Sequence, residues 1–187
     1  MKLYLIRHGE SDNNVSGCYS GWEQVLLTEK GIEDAKSIRP LLENVKFDKI
    51  YSSDLIRAMN TCETALPGCV YETSPLLREV NVGTLGNKPF LPKDAPERRQ
   101  MNDGFKEYGG ENYDEFRVRI REFLSSLEGS EHKCVAAFTH AGFLRNTLSI
   151  LLDANVTHAT VECSNCAVAI LNYVNGGWQL SCWINPQ

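Results

Sequence analysis

The chain has 187 residues, 42% of them apolar and 23% charged, and a formal net charge of -5. That composition excludes a disordered, fibrous or collagen-like polypeptide, and a chain of this length can bury a core without staples. Its negative balance offers nucleic acid and anionic membranes nothing to bind, so an anionic substrate needs a local cluster of cations.

In chain order, residues 3–6 form an apolar run that stops at Arg7-His8-Gly9-Glu10, the pattern of a buried strand feeding a loop. From Thr28, a candidate N-cap, Ile32, Ala35, Ile38 and Leu42 recur at helical spacing, and Pro40 is expected to kink or end that helix near Arg39. Lys49-Ile50-Tyr51 reads as a second strand. Ser52 and Ser53 then offer caps for a helix with Leu55, Met59, Cys62 and Leu66 on one face, and Val70-Tyr71 suggests a third strand.

Residues 81–110 are irregular, with Gly83, Gly86, Pro89, Pro92, Pro96, Gly104, Gly109 and Gly110 interleaved with Lys88, Lys93, Arg98, Arg99 and Lys106. Ordered pattern resumes on both sides, so this stretch reads as a lid or specificity insert. Its cations are a solvated face or a binding surface for a second anionic group of a substrate. Asn112 and Glu115 make a capping box ahead of Tyr113, Phe116, Ile120, Phe123 and Leu127. Cys134 to Phe138 forms another strand, halted at Thr139-His140-Ala141-Gly142, and a helix through Leu144, Leu148, Leu151 and Leu152 follows. Residues 166–174 and 178–184 flank Asn175-Gly176-Gly177, a hairpin signal. Alternating strands and helices indicate an α/β domain, 1–187, with a mostly parallel sheet and an antiparallel hairpin at its end.

Seven scattered cysteines argue against a disulfide framework and for buried thiols in a reducing compartment. The N-terminal apolar run is too short for a signal peptide, and nothing approaches the roughly 18 apolar residues of a spanning helix, so a cytoplasmic protein is expected. Cys163-Ser164-Asn165-Cys166, with His158 nearby, precedes a strand instead of opening a helix, so it reads as paired buried thiols and not as zinc or redox chemistry.

Reactive groups recur at equivalent places. Arg7 and His8 follow the first strand, Arg57 lies in the first turn of the helix after the second, and His140 follows a later one. In open α/β sheets the loops at the strands' carboxyl ends share an edge where ligands bind, so these four side chains should meet in one cleft. Two guanidiniums and two imidazoles there describe an anion site, arginine forks match phosphate oxygens, and each of the four taken alone would suit a structural role.

Leu5-Ile6-Arg7-His8-Gly9-Glu10-Ser11, Asn14, Leu27-Thr28-Glu29-Lys30-Gly31, Tyr51-Ser52-Ser53-Asp54-Leu55-Ile56-Arg57-Ala58, Gly110-Glu111-Asn112-Tyr113 with Arg119, and Thr139-His140-Ala141-Gly142 occur in order. Together they resemble the histidine phosphatase superfamily, in the branch of cofactor-dependent phosphoglycerate mutases and their phosphatase relatives. The resemblance implies a three-layer sandwich with a central sheet flanked by helices. It implies that His8 is the nucleophile, that Arg7, Asn14, Arg57, His140 and the Ala141 N–H contact the phosphoryl group, and that Glu79 is the proton donor. Glu10 is expected to orient the loop. No metal or other cofactor is implied.

Glu79 is followed by Val80-Asn81-Val82-Gly83 where the resembling mutases carry Glu-Arg-His-Tyr-Gly and a longer insert. The expected function is therefore a phosphohistidine-forming phosphomonoester hydrolase acting on a small metabolite. The alternatives are a mutase-type phosphotransferase and a catalytically weak phospholigand-binding module.

Overall fold

The computed structural model describes residues 1–92, 94–97 and 103–186. Among these, six strands build one sheet: β1 (Lys2–Arg7), β2 (Lys49–Ser52), β3 (Glu72–Thr73), β4 (Cys134–Thr139), β5 (Val168–Val174) and β6 (Gly177–Ile184). Their spatial order is β3-β2-β4-β1-β5-β6. β1 to β4 run parallel, β5 is antiparallel to β1, and β6 is antiparallel to β5, so β5 alone opposes the rest. Asn175 and Gly176, both at positive φ, close the β5–β6 hairpin as expected.

Side chains alternate across a strand, and both faces of this sheet are buried. Leu3 and Leu5 of β1, Val135 and Ala137 of β4, and Ala169 and Leu171 of β5 share one cluster with Phe116, Ile120, Phe123, Phe143 and Leu144. Those partners come from α5 (Tyr113–Glu128) and α6 (Ala141–Leu152). Tyr4, Ile6, Ala136, Phe138 and Val168 project the opposite way, onto Ala35, Ile38, Leu42, Cys62 and Ala65. Those belong to α2 (Glu29–Ser37), the α2–α3 junction, α3 (Arg39–Leu42) and α4 (Ile56–Ala65), with a short α1 (Asp12–Ser16) near the strand ends. This is the three-layer α/β arrangement.

Local signals account for most boundaries. Thr28 caps α2 by accepting from the Gly31 N–H at 3.0 Å, and the break at Ile38 admits Pro40 into the first turn of α3. The capping box at α5 is complete: Asn112 Oδ1 accepts from the Glu115 N–H at 2.7 Å and Glu115 accepts from the Asn112 N–H at 3.0 Å.

Four expectations change. α4 starts at Ile56 with Leu55 as its N-cap, so neither Ser52 nor Ser53 caps it; both are buried where the strand ends. The third strand is Glu72–Thr73, two residues beyond Val70-Tyr71, and Val70 is exposed. Ile32 lies on the exposed side of α2. Only Cys62, Cys163 and Cys166 are buried, and Cys163 and Cys166 are not a pair, because they belong to clusters on opposite faces of the sheet.

The described parts of 81–110 are pinned. Short 3-10 turns at Gly83–Leu85 and Lys106–Tyr108 enclose a small core of Val82, Leu85 and Phe105, with Tyr19 and Tyr108 against it. Bridges tie Pro89 to Cys18 and Gly104 to Asn112. Lys106 is ion-paired with Glu115, whereas Lys93, Arg98 and Arg99 lie outside the described residues.

Phe123, 1% exposed, meets Tyr51 and Phe143 edge-on at centroid distances of 5.7 and 6.1 Å. Phe123→Ala should cost about 3–5 kcal/mol through lost burial and the cavity left behind. Urea unfolding checks this, and a loss below about 1 kcal/mol would contradict the packing described.

Candidate active site

Sheet register brings the sequence-distant groups together. β1 and β2 flank β4, with Arg7 opposite Thr139 and Ser52 opposite Phe138. Just beyond, the His8 N–H donates to the Thr139 carbonyl at 3.0 Å and the Ser53 N–H to the Phe138 carbonyl at 2.8 Å. His8, Ser53 and His140 therefore leave the sheet side by side at its carboxyl edge. α4 adds Arg57. Thr61, one turn on, receives the Gly9 N–H at 3.0 Å and donates to the Arg57 carbonyl at 2.7 Å, locking the His8 loop to that helix.

The loop also presses on α2. A Cβ at Gly9 would lie 2.2 Å from the Gly31 carbonyl oxygen, so the passage needs glycine. Glu10 Oε1 accepts from Thr28 Oγ1 at 2.8 Å, which holds the loop as expected of it.

His8 is 4% exposed, and its Nδ1 lies 2.7 Å from the Gly9 carbonyl oxygen. A carbonyl can only accept, so Nδ1 carries the proton and Nε2 keeps its lone pair. That Nε2 is 3.3 Å from Arg57 Nε. Burial first, then Arg57 and Arg7, hold the His8 pKa well below the ordinary histidine value.

His140 is fully buried, its ring centroid 5.2 Å from that of His8. Its Nε2 lies 3.0 Å from Ser53 Oγ, and that hydroxyl already accepts from the Leu55 N–H at 3.3 Å. His140 Nδ1 is buried with no hydrogen-bond partner among the described residues. Burial, followed by Arg57, also holds the His140 pKa well below its ordinary value.

Arg7 Nε is the other buried nitrogen lacking a partner among the described residues; Arg7 Nη1 donates to the Cys163 carbonyl. Arg57 is fully buried, held by carbonyls at 2.9 Å (Glu23) and 2.8 Å (Gly21), with no carboxylate in ion-pair contact among the described residues. Burial pushes its pKa down to about 10, opposed by Glu79 and assisted by Arg7, so it remains a cation at neutral pH.

Glu79 reaches the site from the segment after β3. Its Oε1 accepts from the Val80 N–H at 2.9 Å and its Oε2 from the Gly142 N–H at 3.0 Å, at the start of α6. A Cβ at Gly142 would sit 2.1 Å from Glu79 Oε1, so glycine there makes room for the carboxylate. Ala141 is the half-buried first residue of α6, among the turn whose N–H groups have no partner within the helix.

Asn14 lies at the loop's rim. Its Oδ1 accepts from the Ser11 N–H at 3.2 Å, Ser11 Oγ at 3.1 Å and Asn165 Nδ2 at 3.1 Å. Asn165 also donates to the His8 carbonyl at 3.2 Å. The Cys163–Cys166 segment thus serves through its Asn165 and its Cys163 carbonyl, as a brace for Arg7 and His8.

Arg7, His8, Arg57, Glu79, His140 and Ala141 lie in this neighbourhood, with Asn14 at its edge. Missed were Ser53 as the partner of His140, Asn165, and the stretch 21–23. Ser53 read as a helix cap because caps and buried hydroxyl partners share a residue type; nothing in the sequence marked the other two.

Beyond Glu79, Ala141 and Gly142 opens a cleft of roughly 1620 Å³ walled partly by Tyr19, Phe105, Tyr113, Arg117 and Arg145. Among the described residues no group of three or more His, Cys, Asp or Glu side chains is placed to hold a metal ion, and no helix is long and apolar enough to cross a membrane.

Residues 3–186 match the family described as histidine phosphatase superfamily (branch 1). The adenosylcobalamin/alpha-ribazole phosphatase of Salmonella typhimurium is 32% identical over 174 residues, covering 87% of this chain and 86% of the relative. A Yersinia pestis protein named probable phosphoglycerate mutase GpmB is 31% identical over 196 residues, covering 98% and 90%. Among solved structures, a mycobacterial glucosyl-3-phosphoglycerate phosphatase in complex with VO3 superposes with a TM-score of 0.84 at 26% identity, covering 97% of this chain and 98% of that one.

The depressed histidines carry a stability consequence. His8 and His140 stay neutral in the folded chain below the pH, near 6.5, at which the unfolded chain protonates them. The unfolded state then binds more protons, so stability falls as pH drops below about 6.5, by up to about 1.4 kcal/mol per pH unit for each histidine. Denaturant unfolding from pH 7 to 5 should show this slope, reduced in His140→Asn; an unchanged slope in that variant would contradict the assignment.

Proposed function

The chain belongs to the histidine phosphatase superfamily, and on that premise we propose that it hydrolyses a small phosphomonoester through a phosphohistidine on His8. The observation that carries this reading is a pair of buried nitrogens without partners among the described residues, Nδ1 of His140 and Nε of Arg7, beside the buried Arg57 cation, whose Nε–H meets the His8 Nε2 lone pair at 3.3 Å. Buried polar groups are rarely left unpaired, and a phosphoryl group would supply acceptors for every donor in the set.

In the proposed reaction His8 Nε2 attacks phosphorus in line while the ester P–O bond breaks. Arg7, Arg57 and His140 hold the three non-bridging oxygens, and Asn14 and the Ala141 N–H add contacts at the rim. The phosphoryl transition state is loose, so positioning and fixed charge supply most of the acceleration. Glu79 protonates the departing oxygen. Water then attacks the phosphohistidine, Glu79 takes its proton, the P–N bond breaks, and inorganic phosphate leaves with His8 restored.

The names of the relatives, an alpha-ribazole phosphatase and a glucosyl-3-phosphoglycerate phosphatase, support a small phosphorylated metabolite as substrate. The relative named as a phosphoglycerate mutase supports a second reading, in which the phosphohistidine passes its phosphate to a sugar acid instead of water. The Val80-Asn81-Val82-Gly83 continuation after Glu79 favours hydrolysis.

Phosphate release from a panel of nucleoside phosphates, phosphosugars, 3-phosphoglycerate and an activated aryl phosphate tests this. Release should persist with chelator and vanish in folded His8→Ala; an active His8→Ala enzyme would overturn the mechanism. Phosphate exchange between sugar acids without release to water would select the mutase.

The acid role has its own check. Glu79→Gln should slow unactivated alkyl phosphates by on the order of 100-fold and activated aryl phosphates far less. Equal losses on both would remove Glu79 from that role.

A further inference from the structure

Two donors meet at the backbone carbonyl of Glu79. Trp22 Nε1 donates to it at 2.8 Å and Arg119 Nη2 at 3.0 Å. Arg119 is anchored in α5 and spans Glu111 with a two-pronged ion pair at 2.9 and 2.8 Å, while its Nη1 donates to the Leu76 and Arg78 carbonyls. That fork shapes the whole 76–79 segment and is a structural anchor. Trp22 is different. It is 37% exposed, on the loop between α1 and α2, and its ring rests on the Arg78 guanidinium at 4.6 Å.

The neighbours of Trp22 make it more than a surface contact. Gly21 and Glu23 supply the two carbonyls that hold the buried Arg57 guanidinium. One three-residue strap therefore grips, from its backbone, the cation facing His8 and, from its middle side chain, the residue carrying the carboxylate. Arg78, under the ring, is itself fastened to Asp54 in the loop preceding α4, at 2.7 Å through Nε. The strap thus joins the two halves of the site.

We propose that Trp22 is a positioning residue that sets Glu79 relative to the Arg57-bound phosphoryl group, and that its indole N–H is the group responsible. This rests on the reading of Glu79 as proton donor. A carboxyl displaced by even a few tenths of an ångström loses alignment with the leaving oxygen, while attack on phosphorus by His8 is untouched. Loss of the N–H therefore acts on the protonation of poor leaving groups in particular.

The experiment compares Trp22→Phe, which keeps a ring over Arg78 without the N–H, with Glu79→Gln and the double variant. kcat and KM are measured on an activated aryl phosphate and an unactivated alkyl phosphate. Trp22→Phe is expected to raise the aryl-to-alkyl ratio of kcat/KM roughly fivefold, the worth of one neutral hydrogen bond, through kcat and not KM. In the Glu79→Gln background the same change should leave that ratio unmoved. If Glu79→Gln is leaving-group selective and Trp22→Phe is not, the positioning role is overturned and the acid reading stands. If Glu79→Gln is itself unselective, the acid reading fails, and this proposal with it. A shift of ratio that persists in the double variant would also overturn it, since Trp22 would then act independently of Glu79.

Discussion

A buried cation with no carboxylate in ion-pair contact among the described residues is the constraint around which this molecule is organised. Arg57 is fully buried and its guanidinium is held by two backbone carbonyls, with an imidazole nitrogen opposite its Nε. Removing a charge from water costs several kcal/mol unless hydrogen bonds and an opposing charge compensate. Carbonyl dipoles supply part of that compensation here, and the rest is available to an anion. Burial first, and the Arg57 charge after it, keep both histidines neutral in the same pocket.

Holding such a group requires a rigid frame. The strands β2, β4 and β1 deliver their loops to one edge in register, and the Thr61–Gly9 and Asn165–His8 contacts prevent those loops from relaxing toward the cation. Two core clusters, one on each face, bury the sheet and carry α4 and α6 at fixed height. The small residues that permit close approach, Gly9 against α2 and Gly142 against Glu79, lie where a methyl group would strike an oxygen. Core packing and reactivity are therefore coupled through backbone position, not through shared side chains.

The carboxylate belongs to a separately built part of the chain. It depends on the 76–79 segment, the Arg119–Glu111 pair and the pinned insert over Val82, Leu85 and Phe105. The insert borders the cleft into which Glu79 opens.

By itself the sequence determined the α/β alternation, the capped starts of α2 and α5, the hairpin at Asn175-Gly176, and the convergence of Arg7, His8, Arg57 and His140. Each depends on local chemistry, a capping side chain or an apolar period, or on the general rule that parallel strands share a carboxyl edge. Tertiary structure alone decided which face Cys163 and Cys166 joined, that Ser53 serves His140 and not a helix end, and that residues 21–23 link the cation to the carboxylate. Those outcomes depend on contacts between segments dozens of residues apart. A serine, a tryptophan indole or a backbone carbonyl has the same local signature whether it meets solvent or a buried charge, so only the packed chain distinguishes them.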